Sequence, residues 1–201
     1  MAATGRAKGD VSVRDATREE QAYVRRVAES RATIPDLWVA DHVRSADAPS
    51  TAQLVRAFAA GLAAHPAANG AWRDGRLEQY SRINIGVVLP TERGLVTPTV
   101  ADADQCSAKD IETQLAELGD AARAGTLAAP AQAGATATLW DLGISGVASG
   151  GAIVTPGQAV ALSAGAVRDR AIALTLTFDH RVLDAWSAGA LLARVRDELG
   201  G

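Results

Sequence analysis

The chain holds a single cysteine, Cys106, and three histidines, and these residues nowhere cluster at zinc-ligand spacing. An intramolecular disulfide is therefore excluded, a reducing cytoplasmic setting is expected, and no metal site is expected. Aromatic residues make up 4% of the chain, and lysine occurs only at Lys8 and Lys109. No stretch approaches the roughly 18 consecutive apolar residues of a membrane span, and the N-terminus lacks the apolar core of an export signal. Positive charge is not in excess either. The formal net charge of −3 offers no cationic surface to a phosphate backbone and removes nucleic acid as an expected partner. What is present is the composition of an ordinary globular protein: 201 residues, 48% hydrophobic and 21% charged, about one large domain.

Residues 1–16 are small, polar and aperiodic, and read as a flexible N-terminal arm ahead of a single domain over 17–201. Thr17 and Glu20 have capping-box spacing, and Tyr23, Val24, Val27 and Ala28 recur at helical intervals, which predicts a helix over 18–30. Ile34-Pro35 breaks it, because proline disfavours helix in the residue before it. Residues 37–43 then read as a strand, and Leu54, Phe58 and Leu62 mark a helix over 51–64 that stops at His65-Pro66. The alanine and glycine of that helix imply close packing.

Alternation of Ile83, Ile85, Val87 and Leu89 predicts a strand ending at Pro90, with residues 94–100 continuing the sheet after a turn. Ser107 caps a helix with the stripe Ile111, Leu115, Leu118 and Ala122, which Gly125 terminates. Segments 136–140, 159–165 and 171–178 are short, rich in small or β-branched residues, and read as buried strands. A last helix follows, with Trp186, Leu191, Leu192, Val195 and Leu199 expected on one apolar face. The fold class is α/β, a mixed sheet of five to seven strands flanked by helices.

General acid–base chemistry near neutral pH has only the three histidines to draw on. His42, in a strand beside Asp41, and His65, at a helix end, read as structural. His180 differs, because it follows an apolar strand and precedes a helix, and such junctions expose side chains at a sheet end. Two readings of this segment stand. His180 is a polar turn residue while Asp184 caps the helix, or the two form part of a site.

The segment Asp179-His180-Arg181-Val182-Leu183-Asp184-Ala185 resembles the C-terminal signature of the catalytic domain of 2-oxoacid dehydrogenase acyltransferases, the E2 components, with alanine at the final glycine. The likeness recurs in order. Tyr23 to Ser30 followed by Thr33-Ile34-Pro35 resembles the family's opening helix, and His65-Pro66 to Asn69 its His-Pro-x-x-Asn helix end. Ile83 to Val87 and Arg93 to Pro98 resemble its paired strands, Ala122 to Leu127 its Ala-Arg-x-Gly-x-Leu, and Leu142-Gly143 its Leu-Gly turn. The resemblance implies a chloramphenicol acetyltransferase-like fold, trimmed in the loop 44–51 and in the hairpin at Val167 to Ala171.

It also implies a mechanism. His180 is then the general base, Asp184 an organising residue with Arg26 as its ionic partner, and Arg26, Ser30, Gly94 and Leu95 are candidates for substrate or CoA binding. Aligned on Leu142-Gly143, Trp140 stands where the family has the serine or threonine that donates to the oxyanion, so Trp140, Thr138 and Ser145 are the oxyanion or pocket candidates. Acetyl-CoA, or another acyl-CoA, is the co-substrate with no bound cofactor, and a homotrimer shares its sites between subunits. No lipoyl domain precedes the core and no apolar anchor follows Gly201, so a discrete trimer is expected. The architecture looks most like stand-alone O-acyltransferases of tetronate polyketide (antibiotic) biosynthesis, acting on a small-molecule hydroxyl. The alternatives are a dihydrolipoyl acyltransferase core served by a lipoyl domain in trans, and a catalytically silent assembly subunit.

Overall fold

A computed structural model describes residue 9, residues 11–44 and residues 47–200 of the chain. Helix α1 spans Arg18–Thr33 and opens with the expected capping box, in which Thr17 accepts from the Glu20 amide and Glu20 accepts from the Thr17 amide at 2.8 Å. The Arg14 guanidinium, then the Thr17 amide, draw the Glu20 carboxyl down to about 2. The cap is therefore fully effective above the ordinary glutamate range and is lost only as pH falls through that lowered value. Of the predicted arm, residues 11–16 run up to this cap without helix or strand, while residues 1–8 and 10 lie outside the described residues.

A six-stranded sheet forms the centre, built from β1 (Asp36–Arg44), β4 (Ile85–Val87), β7 (Thr99–Val100), β8 (Ala137–Asp141), β9 (Val160–Ala164) and β10 (Ala171–Asp179), in the order β1-β10-β9-β8-β4-β7. The β9–β8 and β8–β4 pairs are parallel and the other three antiparallel. One sheet face is covered by α2 (Thr51–Ala64), α3 (Ala108–Ala124) and α4 (Ala185–Glu198). Phe58, Leu62, Leu139, Leu162, Leu176, Phe178 and Leu191 meet there, all buried. Gly61 is where α2 and α4 touch, since a Cβ would come within 2.7 Å of Val195 Cγ2. That is the close packing the small residues of α2 imply.

The other face has a different chemistry. Strict alternation along β8, β9 and β10 turns Thr138, Trp140, Ala161, Ser163, Thr175, Thr177 and Asp179 away from the helices. A satellite core of Ile34, Ala152, Val154 and Ala161 packs with Trp140 over this face. Ser30 at the end of α1 holds the covering segment by donating to the Val154 carbonyl at 2.6 Å. Gly165 lies under the same segment, where a Cβ would overlap the Ala148 carbonyl oxygen.

Three expectations need correction. Trp186 is not on the apolar face of α4: it is 86% exposed, while Ala188, Leu191, Leu192 and Val195 carry the packing. The strand expected from Ile83 to Leu89 is interrupted, because Pro90 cannot donate to a central ladder. β4 stops at Val87, and Leu89–Thr91 (β5) pairs with Gly94–Val96 (β6) as a separate hairpin. A second hairpin, β2 (Gly70–Arg73) and β3 (Arg76–Gln79), falls where the pattern analysis places nothing. Its signal was in the chain: Asp74-Gly75 adopts positive φ at both positions, the pairing that two-residue hairpin turns demand.

Candidate active site

The segment after β10 folds back on the Asp179 carbonyl, which accepts from the amides of Val182 and Leu183. This tight turn places His180 at the end of the sheet, exposed, with its amide donating to the Pro35 carbonyl at 3.0 Å. The ring meets Phe178 edge-on, with centroids 5.9 Å apart. Its Nδ1 lies 3.1 Å from the Leu183 carbonyl oxygen. A carbonyl only accepts, so Nδ1 carries the proton and Nε2 is left with its lone pair outward.

The neighbours of His180 have separate duties. Asp179 is buried at 1% exposure and takes a two-pronged ion pair from Arg181, with Nη2 to Oδ2 at 2.7 Å and Nε to Oδ1 at 2.9 Å. The Arg181 guanidinium also lies over the Trp72 ring, 5.9 Å from its centre, so the unanticipated hairpin braces the signature. Asp184 is the N-cap of α4, accepting from the Ser187 amide at 2.8 Å. That amide is the main cause of its lowered pKa, and the nearby His180 adds to it. Among the described residues Asp184 makes no ion pair with Arg26, contrary to the expectation, because its carboxylate is turned into the cap. Asp184→Ala is expected to melt about 2–4 °C below the parent, and Asp184→Asn, which caps equally well, close to it. Equal melting of all three would deny the cap any weight.

The remaining candidates gather elsewhere. Arg26, Thr138 and Trp140 line a pocket of about 30 Å3 together with Tyr23, Val154 and Thr155. Tyr23 also borders a wider cleft of about 640 Å3 that contains Gly94 and Leu95. Neither lining includes His180. Ser30 is engaged with Val154, and Ser145 is exposed and donates to the Leu142 carbonyl at 2.9 Å within a local turn. Thr138 donates to Gln158 Oε1 at 2.6 Å. Trp140 Nε1 and Thr177 Oγ1 are buried without a partner, a condition that costs about 1–3 kcal/mol per group.

Register fixes how far the two groups lie apart. Trp140 pairs with Ser163 and Ser163 with Thr175. At about 4.8 Å between strands and 3.3 Å per residue, Trp140 and His180 are roughly 19 Å apart within one chain.

The sequence profile of the 2-oxoacid dehydrogenases acyltransferase (catalytic domain) matches residues 39–200. The chain belongs to this family. A dihydrolipoyllysine-residue succinyltransferase component of the 2-oxoglutarate dehydrogenase complex from Bartonella vinsonii is 34% identical over 129 residues, which is 58% of this chain and 31% of that protein. Among solved structures, dihydrolipoamide acetyltransferase of Azotobacter vinelandii superposes with a TM-score of 0.90 at 23% identity, covering 99% of this chain and 96% of that one. A serine, a histidine and an asparagine have roles in the catalytic mechanism of that enzyme. Chloramphenicol acetyltransferase superposes at 0.58 with 15% identity, over 87% and 94% of the two chains, in keeping with the fold expected from the sequence. The chain spans between 24% and 32% of the length of the first three curated relatives. It is an acyltransferase catalytic domain of the E2 type. No helix among the described residues is long and apolar enough to cross a membrane.

Proposed function

We propose that this acyltransferase domain moves an acyl group directly between the thiol of CoA and the thiol of a dihydrolipoyl group, with His180 as general base. The observation that carries the reading is the bond from His180 Nδ1 to the Leu183 carbonyl, which fixes the tautomer and presents Nε2 at an exposed sheet end. Nε2 takes the proton of the acceptor thiol as its sulfur attacks the thioester carbonyl carbon. The carbonyl pair moves onto oxygen, the tetrahedral intermediate collapses, the bond between the acyl carbon and the CoA sulfur breaks, and the departing thiolate recovers the proton from Nε2. Acyl-CoA is thus a co-substrate. Asp184 is a positioning residue: it fixes the start of α4 and, with it, the carbonyl that orients the ring.

Relatives that act on dihydrolipoyllysine residues favour a thiol acceptor over the small-molecule hydroxyl, and the tetronate chemistry, that the sequence alone suggested. The separation of Trp140 from His180 within one chain favours a site completed by a neighbouring copy. Three copies in a closed ring satisfy such a repeated head-to-tail contact. The test offers acetyl-CoA or succinyl-CoA with free dihydrolipoamide, or with small primary alcohols at equal concentration, while CoA release is followed. Faster transfer to dihydrolipoamide is expected. Transfer to alcohols alone would restore the hydroxyl acceptor, and release with neither would overturn the reading. Light scattering is expected to give a trimer, and an active monomer would remove the shared site.

A further inference from the structure

We propose that the cleft between residues 12–16, the first half of α1 and the β5–β6 hairpin is a binding site for an uncharged, aliphatic small molecule, with the extended segment ahead of α1 as its strap. The site is separate from the acyl-transfer reading above and does not depend on it.

Polar anchors hold that segment in place. Arg14 grips the Glu20 carboxylate with both terminal nitrogens, at 2.8 and 2.6 Å. Gln21 Nε2 donates to the Ala16 carbonyl at 2.9 Å, and Thr17 Oγ1 donates to the Arg93 carbonyl at 2.9 Å. The hairpin comes so close to α1 that a Cβ on Gly94, whose φ is 125°, would meet Glu20 Cγ at 3.3 Å. Fixing an extended backbone costs conformational entropy, and the apolar side chains of the segment do little to offset it within the chain. Val13 is 88% exposed, and Val24 of α1 is 60% exposed. Both line the cleft of about 640 Å3, together with Tyr23 and Leu95. Exposed apolar side chains scattered singly are ordinary, whereas several around one concavity mark a binding surface.

Volume and charge define the ligand. The cleft falls within the size range of small-molecule sites, about 300–1,000 Å3. Among the described residues, Arg14 and Glu20 are the only charged side chains that line it, and they neutralise each other. Phosphates and carboxylates call for a free guanidinium or ammonium group. The cleft is therefore not built for the nucleotide part of CoA, although Gly94 and Leu95 are candidate CoA contacts by resemblance. A neutral aliphatic molecule asks only for apolar walls, and its entry covers the valines that the chain leaves bare. Tyr23 also lines the pocket at Trp140, so a molecule held in the cleft abuts that pocket through one phenol ring.

The experiment uses the full chain and N-phenyl-1-naphthylamine, a neutral dye whose fluorescence rises in apolar surroundings. Saturable binding is expected, with the dye displaced by octan-1-ol at concentrations at least about 5-fold below those needed of octanoate, the same chain carrying a charge, and left in place by CoA. Val13→Asp and Val24→Asp, both at exposed positions, are each expected to weaken dye binding by about 10-fold or more. Arg14→Gln releases the strap and is expected to weaken it by about 3-fold or more. Ile144→Asp, at an exposed apolar residue outside the cleft, is expected to bind the dye as the parent does. Parental affinity in both valine variants, equal displacement by octanoate, or displacement by CoA would overturn the inference. So would loss of the parental oligomeric state in the valine variants, which would assign the cleft to contact between copies of the chain. Unchanged affinity in Arg14→Gln would deny the segment its role as a strap.

Discussion

Replacing His180 with alanine or asparagine is expected to reduce acyl transfer by about 100-fold to 10,000-fold, the range lost with a positioned general base. The fold is expected to survive. His180 is exposed, and what it gives the structure is chiefly a backbone bond from its amide to Pro35, which both substitutions keep. The asparagine variant is the more telling of the two, since it retains a polar side chain able to donate to Leu183 yet offers no basic nitrogen. A folded His180→Asn protein keeping more than about a tenth of parental turnover would reject His180 as the base. The decisive measurement is initial-rate kinetics on protein whose melting and oligomeric state match the parent.

The largest expected loss of stability comes from Arg181→Met. Asp179 is buried at 1% exposure and draws both its side-chain ion pair and a further amide bond at 3.0 Å from Arg181. Removing the guanidinium strands a carboxylate in the sheet, which costs about 3 kcal/mol once partial exposure of the arginine is allowed for. For a domain of this size that lowers Tm by about 6–12 °C. Asp179→Asn combined with Arg181→Met is expected to lose less than Arg181→Met alone, because no charge is then left unpaired. Denaturant unfolding of the parent, Arg181→Met, Asp179→Asn and the double substitution tests this. A double substitution as damaging as the single one would mean that the stacking of Arg181 on Trp72, not the ion pair, supplies the stability.

Most elements were legible because their signals are local. The box at Thr17 and the cap at Ser107 mark helix starts, Gly125 in a left-handed conformation closes α3, and the three C-terminal strands follow from short β-branched runs. What the chain conceals is which face an apolar residue serves. Trp186 stands five residues before Leu191, about 140° round α4, so it faces solvent while Ala188, Leu191 and Val195 face the core. Trp140 and Leu139 are equally apolar, but strand alternation sends one to each side. The signature around His180 was readable by resemblance, whereas its brace was not, since Arg181 and Trp72 are joined only by tertiary packing. The commitment of Thr138 to Gln158, twenty residues on, likewise has no local signature.

The bond from His180 to the Leu183 carbonyl bears on the direction of the reaction. Nδ1 keeps its proton whether the ring is neutral or cationic, so the bond persists as Nε2 gains and then releases a proton. The ring need not turn between the two halves of the exchange, and one nitrogen, in one position, serves whichever thiol arrives. Such a base is indifferent to which thioester is the starting material. A catalyst of this kind speeds approach to equilibrium equally from either side, leaving net flux to the relative supply of free and acylated thiols.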